Sequence, residues 1–445
     1  MNKFLMGLVL LFCFAVSVGC ASDQRVVFIY SGNLDGELEP CGCTEQGDLG
    51  GISRRATVMA QLRKQYPSLV AVSAGGLLSS ESSRDRLKSL YIMKGFIPLQ
   101  YDAIATQWQD LAYGADFLRQ EPLVWVSSNW EGEDFSEQAN INRGSVSFSV
   151  FAWLDPAQSP FRKMGTSIKK VSDDAKALMS RIRAAKKKGA VTVVATELPL
   201  DKARVLLDLA SIDVLFVKAN YEDYVEPKKV NNTLVLQVGS RGMRVGKLLL
   251  TVADGGKIKS WQHDIVPMPN SIADFPGLKG WYEEYNRKVK EAYLARVKIR
   301  QAQQQGKSPY TGAQACQACH GQAYGIWEKS KHAQAFTALE NVGKAFDPDC
   351  IVCHTVGFKN QGGFVDTRST GDLLNVQCES CHGAGRSHAE SGGQKPTGHK
   401  AWTKLRICEQ CHNRAHSPGF HFEQYWPKIV HGVNREGGDV EGKHR

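Results

Sequence analysis

Between residues 25 and 270, short runs of consecutive apolar, β-branched residues recur: RVVFIY, LVAVSAG, LVWVSSN, VTVVATE, DVLFVKA and TLVLQVG. Runs of this length suit buried strands. Between them, SRRATVMAQLRKQ, DAKALMSRIRAAKKKG and DKARVLLDLA carry apolar residues on one helical face. The alternation predicts a layered α/β body over 25–270. The pattern then changes. Pro276 and Gly277 open a charged stretch with a predicted helix over roughly 278–305, closed by Gln-rich sequence, Gly306 and Pro309. Residues 271–310 therefore read as a semi-rigid helical linker. Its aromatic stripe of Trp281, Tyr282, Tyr285 and Tyr293 offers a face for partial packing on a domain. Residues 311–432 are expected to be mainly α with little regular secondary structure, and 433–445 a frayed polar tail.

The first twenty residues follow another pattern. Lys3 precedes the apolar run FLMGLVLLFCFAV, followed by Ser17-Val18-Gly19-Cys20. This is the layout of an export signal, and the run is short for a transmembrane span. Gly19-Cys20 resembles a bacterial lipobox, in which the cysteine is acylated and anchors the mature chain; Ser17 departs from that motif. The plainer alternative is an ordinary cysteine beside a simple cleavage site. Residues 1–20 are thus expected to be a signal peptide of lipoprotein type, placing the protein in a bacterial periplasm or cell envelope, held there by lipid on Cys20.

Composition narrows the class. The chain has 445 residues, of which 42% are hydrophobic and 22% charged, enough to bury cores and to exclude general disorder. A net charge of +10 is mild at this length, and nothing calls for nucleic acid as a partner. The 12 cysteines are more telling: Cys13, Cys20, Cys41 and Cys43 come early, and the other eight fall between Cys316 and Cys411.

Those eight form four copies of Cys-x-x-Cys-His: Cys316, Cys319 and His320; Cys350, Cys353 and His354; Cys378, Cys381 and His382; Cys408, Cys411 and His412. On a helical turn, cysteines at i and i+3 share a face, so both can form thioethers with the two vinyl groups of one haem. The histidine that follows sits under the iron as proximal ligand. Paired Cys-x-x-Cys units also hold zinc, but zinc does not require a histidine directly after each pair, and covalent haem is attached after export. The expectation is four covalently attached haem c groups. All eight methionines lie at or before Met268, so none is available to the tail as a second axial ligand. His332, His388, His399, His416, His421, His431 and His444 are available instead. Axial methionine raises the potential relative to two histidines, so a low-potential, mostly bis-histidine set is expected.

Residues 308–432 also resemble the tetrahaem cytochromes c that carry electrons away from hydroxylamine oxidation. The resemblance rests on ACQACHGQAYGIWEKSKHAQAF, DPDCIVCHTVGF, NVQCESCHGAGRSH and CEQCHNRAHSPGF. It implies crossed ligation, with His388 on the first haem, His332 on the third and His431 on the fourth. The second haem, on His354, is five-coordinate in the founding members, but this sequence has spare histidines at 416 and 421 that could fill the position: His416 and His421 put an open site here in doubt. Haems stapling distant segments would replace a conventional core and pack against one another. Residues 307–445 hold 16 basic and 13 acidic residues, an excess that eight propionates would reverse unless protonated or paired.

The body over 25–270 resembles the calcineurin-like metallophosphatases, in particular the catalytic domain of bacterial 5′-nucleotidases. The matching stretches are FIYSGNLDGELEP, GGISRRATVMAQLRK, YDAIATQWQDLAYGADFL, VTVVATELP and IDVLFVKANYEDYVEP. The resemblance implies an α/β four-layer sandwich with two central sheets. The family's metal ligands are replaced: Asn33 and Asp35 stand at the first Asp-x-His, Gly76 at the next aspartate, and Trp108-Gln109-Asp110 at the Asn-His-Glu loop. Glu197, Ala219 and Tyr221 stand at the later histidines. Asn33, Asp35 and Glu197 could hold a hard cation only weakly. A scaffold without phosphoesterase activity is expected. Cys41-Gly42-Cys43, on a glycine-rich loop, is either a thiol pair for redox exchange or metal binding, or a plain loop disulfide or idle pair.

Together these features point to an exported tetrahaem cytochrome c that passes electrons between redox proteins of the cell envelope. Two other classes stay open. One is a reductase or oxidase of a small nitrogen or sulfur species at an open haem on His354. The other is a nucleotidase-like ligand-binding module coupled to haems.

Overall fold

The computed structural model describes residues 23–40, 48–79, 85–160, 171–217, 225–237, 239–304, 306–413, 417 and 419–432. The export segment with Cys13 and Cys20, the pair Cys41 and Cys43, Ala219 and Tyr221, His416, and the tail from residue 433 with His444 lie outside the described residues.

The chain divides into two compact units. One comprises Met1–Gly36, Met59–Arg86 and Phe96–Val266; the other comprises Glu37–Val58, Leu87–Gly95 and Pro267–Arg445. The division runs through two helices, Ile52–Gln65 and Asp85–Phe96, as well as near residue 267.

The first unit is built on two mixed six-stranded sheets. In one, β1 (Gln24–Ser31), β2 (Val70–Ser73), β3 (Ala103–Ala105) and β4 (Trp125–Val126) run parallel in that order. β11 (Arg244–Ala253) pairs antiparallel with β1, and β12 (Lys257–Pro267) forms the edge. The other sheet has the order β5-β6-β7-β8-β10-β9, from Ala139–Arg143, Val146–Trp153, Val191–Thr196, Val214–Val217, Thr233–Gln237 and Val225–Val230. Its two terminal strands, β5 and β9, are antiparallel to their neighbours. All six predicted apolar runs are strands. Those of β2, β7 and β8 are buried along their whole length, as continuous apolar sequence demands. β11 and β12 instead alternate between inward and outward residues.

The sheets pack face to face. Phe28 of β1 meets Phe148 of β6 at 5.8 Å and Phe216 of β8 at 6.4 Å between ring centroids, inside a core of β-branched residues from both sheets. The outer face of the second sheet is covered by the helix Ala175–Lys187, whose Leu178, Met179, Ile182 and Ala185 recur at helical spacing on one buried face. The next predicted helix stops at Leu206. Asp208 ends it by accepting the Ala210 N–H and starting a separate 3-10 turn over Leu209–Ser211. Sheets with covering helices are the expected α/β sandwich class.

In the second unit the predicted helix spans Lys279–Gln303 and buries Tyr285, Tyr293 and Val297. Tyr293 and Val297 join Phe336, Ile351 and Phe364 in the unit's apolar cluster, and the Tyr293 hydroxyl donates to the Val365 carbonyl at 3.0 Å. The helix therefore packs within this unit. Beyond residue 310, no helix among the described residues exceeds eight residues. Most of that stretch is only partly buried, the mainly α, sparsely structured character expected. No helix among the described residues is long and apolar enough to cross a membrane.

Phe28 is fully buried where both sheets meet, so Phe28→Ala should cost about 3–5 kcal/mol. Val205 is 90% exposed, so Val205→Ala should change stability by less than about 0.5 kcal/mol. The midpoints of chemical unfolding of the first unit, followed in the intact protein, check both.

Candidate functional site

Each Cys-x-x-Cys-His motif lies on a helical turn. The second occupies the helix Pro348–His354 and the third the helix Cys378–His382. In the first, the His320 N–H donates to the Cys316 carbonyl at 3.0 Å, and in the fourth the His412 N–H donates to Cys408 at 2.9 Å. The starts of three motif helices are capped locally. Asp347 accepts from the Asp349 N–H with Pro348 in the first turn, Gln377 and Ser380 form a reciprocal capping box, and Thr403 accepts from Arg406.

The motifs are brought together by a buried carboxylate. Glu379, between the two cysteines of the third motif, accepts the N–H groups of Thr311, Gly312 and Gly385 at 2.8–3.1 Å. Gln377 accepts the Ala313 N–H at 2.5 Å. Residues 311–313 lead directly into the first motif, so these contacts set Cys316 beside Cys378. Cys353 and Cys411 are also neighbours. Cys381 lies within electrostatic reach of Cys408 and Cys411. In space the motifs therefore run first, third, fourth, second. Burial pushes the Cys381 thiol up to about 11.

Three pairs of histidines distant in sequence face each other. Ring centroids are 6.1 Å apart for His320 and His388, 6.1 Å for His332 and His412, and 5.8 Å for His382 and His431. Two imidazoles on one metal ion, with bonds of about 2 Å and a further ~1.1 Å to each ring centre, give roughly 6 Å. The spacing therefore fits one iron between each pair. His388 stands where the resemblance placed it, opposite the first motif. His332 and His431 are exchanged relative to that expectation: His332 faces the fourth motif and His431 the third. Trp327 and the His332 carbonyl are hydrogen-bonded to Val376, just ahead of the third motif, while the His332 ring points away to His412. Backbone neighbourhood and ring partner thus differ, and order along the chain does not reveal the second.

Hydrogen bonds also orient the rings. His354, His388 and His431 present Nδ1 to the carbonyls of Ala335, Lys395 and Ile429 at 2.5, 2.8 and 3.0 Å. A carbonyl only accepts, so Nδ1 carries the proton and Nε2 keeps its lone pair for a metal. Burial, reinforced by neighbouring histidines for the first two, lowers the pKa of His332, His382 and His412 and favours the neutral, ligating form. His421 is exposed, and His399 stacks on Trp402 at 3.9 Å.

In the α/β unit, the positions of the expected metal ligands are occupied by an internal hydrogen-bond network. The Gln107 amide donates to Asn33 at 2.9 Å, Asn33 to Asp35 at 3.2 Å, and the Arg241 N–H to Asp35 at 3.1 Å. The Trp108 N–H donates to Glu197 at 3.1 Å. Asp110 is fully buried and accepts four backbone N–H groups, from Gly76, Leu77, Leu78 and Gln107. Burial raises its pKa to about 6 against those donors. Gly76 has φ +71°, and a Cβ there would lie 2.6 Å from the Asn33 side chain, so the family's aspartate does not fit beside Asn33. His263 is not at this site. It lies on β12 and bonds the Tyr30 hydroxyl at 2.8 Å and Glu226 at 3.2 Å. Among the described residues no three His, Cys, Asp or Glu side chains cluster as a metal site.

Glu379, Gln377 and Asp347 were not singled out from sequence. Asp347-Pro348 is a readable helix start, whereas nothing local distinguishes Glu379 from any residue between two haem-motif cysteines.

Comparison with known proteins agrees with both resemblances. Residues 315–383 match the family model of cytochrome c554 and c-prime. Cytochrome c-554 of Nitrosomonas europaea is 34% identical over 104 residues, which is 19% of this chain and 44% of the relative, so the chain spans under half of that protein's length. Among solved structures, a 5′-nucleotidase precursor from Thermus thermophilus superposes with a TM-score of 0.52 at 18% identity, covering 61% of this chain and 60% of that one. The sulfate thiohydrolase SoxB of Thermus thermophilus superposes at 0.50 and 12% identity, covering 60% and 61%. At such identities the likeness is one of fold.

Glu379→Ala would leave three backbone N–H groups without their acceptor, each worth about 1–3 kcal/mol. The loss expected is about 3 kcal/mol or more in denaturant unfolding of the intact protein. Glu379→Gln, which keeps one acceptor oxygen, should lose less.

Proposed function

We propose that this protein is an exported c-type cytochrome with four covalent haems, which relays electrons between redox proteins of the cell envelope. The observation that carries the reading is the set of three histidine pairs at 5.8–6.1 Å, each joining a proximal histidine to a distant one. The matched cytochrome family supports covalently bound haem c and electron transfer as the class of function.

In this reading the cysteine pairs hold the porphyrins, and His320, His354, His382 and His412 are the proximal ligands. His388 opposite His320, His332 opposite His412, and His431 opposite His382 complete three coordination shells. The cofactor supplies a one-electron couple. The protein's part is to fix ring orientation through the carbonyls at Nδ1, to exclude a methionine ligand, and to hold the motifs in the order first, third, fourth, second. Electrons would follow that order between the first and second haems. The α/β unit serves as a scaffold without phosphoesterase activity, a role supported by the glutamine and backbone contacts that fill the place of the family's metal site. Export and acylation at Cys20 would hold the protein in the periplasm at the membrane, and no nucleic acid is involved.

Intact mass and a pyridine haemochrome assay on the purified protein should give four haems per chain, and replacing both cysteines of any one motif with alanine should remove one. Fewer than four haems in the unmodified protein would refute the reading. With metals supplied, the protein should release no phosphate from nucleotides above a blank.

A further inference from the structure

The second motif differs from the others in its electrostatic surroundings. Its helix Pro348–His354 is capped by Asp347, which is itself nearly buried and lies 3.8 Å from the Lys344 ammonium. Lys344 is equally buried and is held by Glu39, by the Asn286 side chain at 2.9 Å and over the ring of Tyr282. The Tyr282 hydroxyl donates to the same Glu39 carboxylate. Within the helix, Asp349 pairs with Lys88 at 3.1 Å, and Glu37 adds its charge at Lys88. All of these residues belong to one compact unit. Glu39 and the Tyr282 hydroxyl hold the Lys344 ammonium charged against the cost of burial. The cluster therefore sets four carboxylates, Glu37, Glu39, Asp347 and Asp349, against two lysines around the start of the helix that carries Cys350 and Cys353.

Fixed charges this close to a redox centre bias it. Reduction adds an electron, so a nearby cation favours the reduced state and a nearby carboxylate the oxidised one. Burial limits screening by water and salt. We propose that the Glu39–Lys344–Asp347 cluster sets the reduction potential of the haem bound by Cys350 and Cys353, with Lys344 and Glu39 acting as opposed tuning residues. This inference rests on the four-haem reading above.

The two residues make opposite predictions, which a packing role would not. Lys344→Met removes a positive charge and should lower the potential of one centre. Glu39→Gln removes a negative charge and should raise that same centre. Each change is expected to approach tenfold in the reduction equilibrium, which is about 59 mV for a one-electron couple. Lys344→Arg should restore the original value, and the double variant Lys344→Met/Glu39→Gln should return close to it. The other three centres should move less. Spectroscopic redox titration of the full-length holoprotein, with a haem count on each sample, reads all of this. Shifts of the same sign in the two single variants, or none in either, with four haems present would overturn the inference. A haem count below four in the unmodified protein would instead refute the function on which it rests.

Discussion

The C-terminal unit is governed by the need to hold imidazoles from remote parts of the chain about one coordination diameter apart. His320 and His388, His332 and His412, and His382 and His431 each span a long stretch of sequence, yet all close to nearly the same separation. Little regular structure is available to do this, because the helices beyond residue 310 are short. The work falls to local caps, to carbonyls that hold Nδ1, and to Glu379 and Gln377, which bind the lead of the first motif to the third. A chain that orders so many residues with so few buried apolar side chains needs another source of cohesion. In the haem-binding reading, cofactors tied to one segment by thioethers and to another by a distal histidine would supply it.

The α/β unit presents the opposite case, with a complete fold and an altered site. Its core between the sheets is continuous, and the strands that position metal ligands in the family it resembles keep their places. What differs is the chemistry at the strand ends. Gln107 bonds Asn33, and Asn33 and Gln109 bond Asp35; Asp35 and Gln109 stand where histidines would have offered lone pairs to metal. Asp110 turns inward to four backbone N–H groups. A site whose polar atoms already satisfy one another gains little from a cation, and Gly76 leaves no room for the missing carboxylate beside Asn33.

Much of this was legible from sequence because its physical cause is local. Unbroken apolar runs marked the buried strands β1, β2, β4, β7, β8 and β10, and proline and glycine marked the ends of the helix Lys279–Gln303. Cysteine spacing marked the four Cys-x-x-Cys-His turns. Some of the strands missed were short, like β3, or half-exposed, like β12, whereas β6 is long and buried but interleaves serines with its apolar residues. The pairing of His332 with His412 rather than His382 was not legible, since it depends on how a ring leaves a backbone that is anchored elsewhere. Nor were the division of the chain through two helices and the role of Glu379, both set by contacts between segments far apart in sequence.

The central claim is that the histidine pairs exist to share iron. An anomalous-difference map from crystals of the purified protein, collected at the iron absorption edge, tests it most directly. The account predicts four iron peaks, three of them midway between His320 and His388, His332 and His412, and His382 and His431, with the fourth on His354. Fewer than four peaks, or irons lying away from those midpoints, would contradict it.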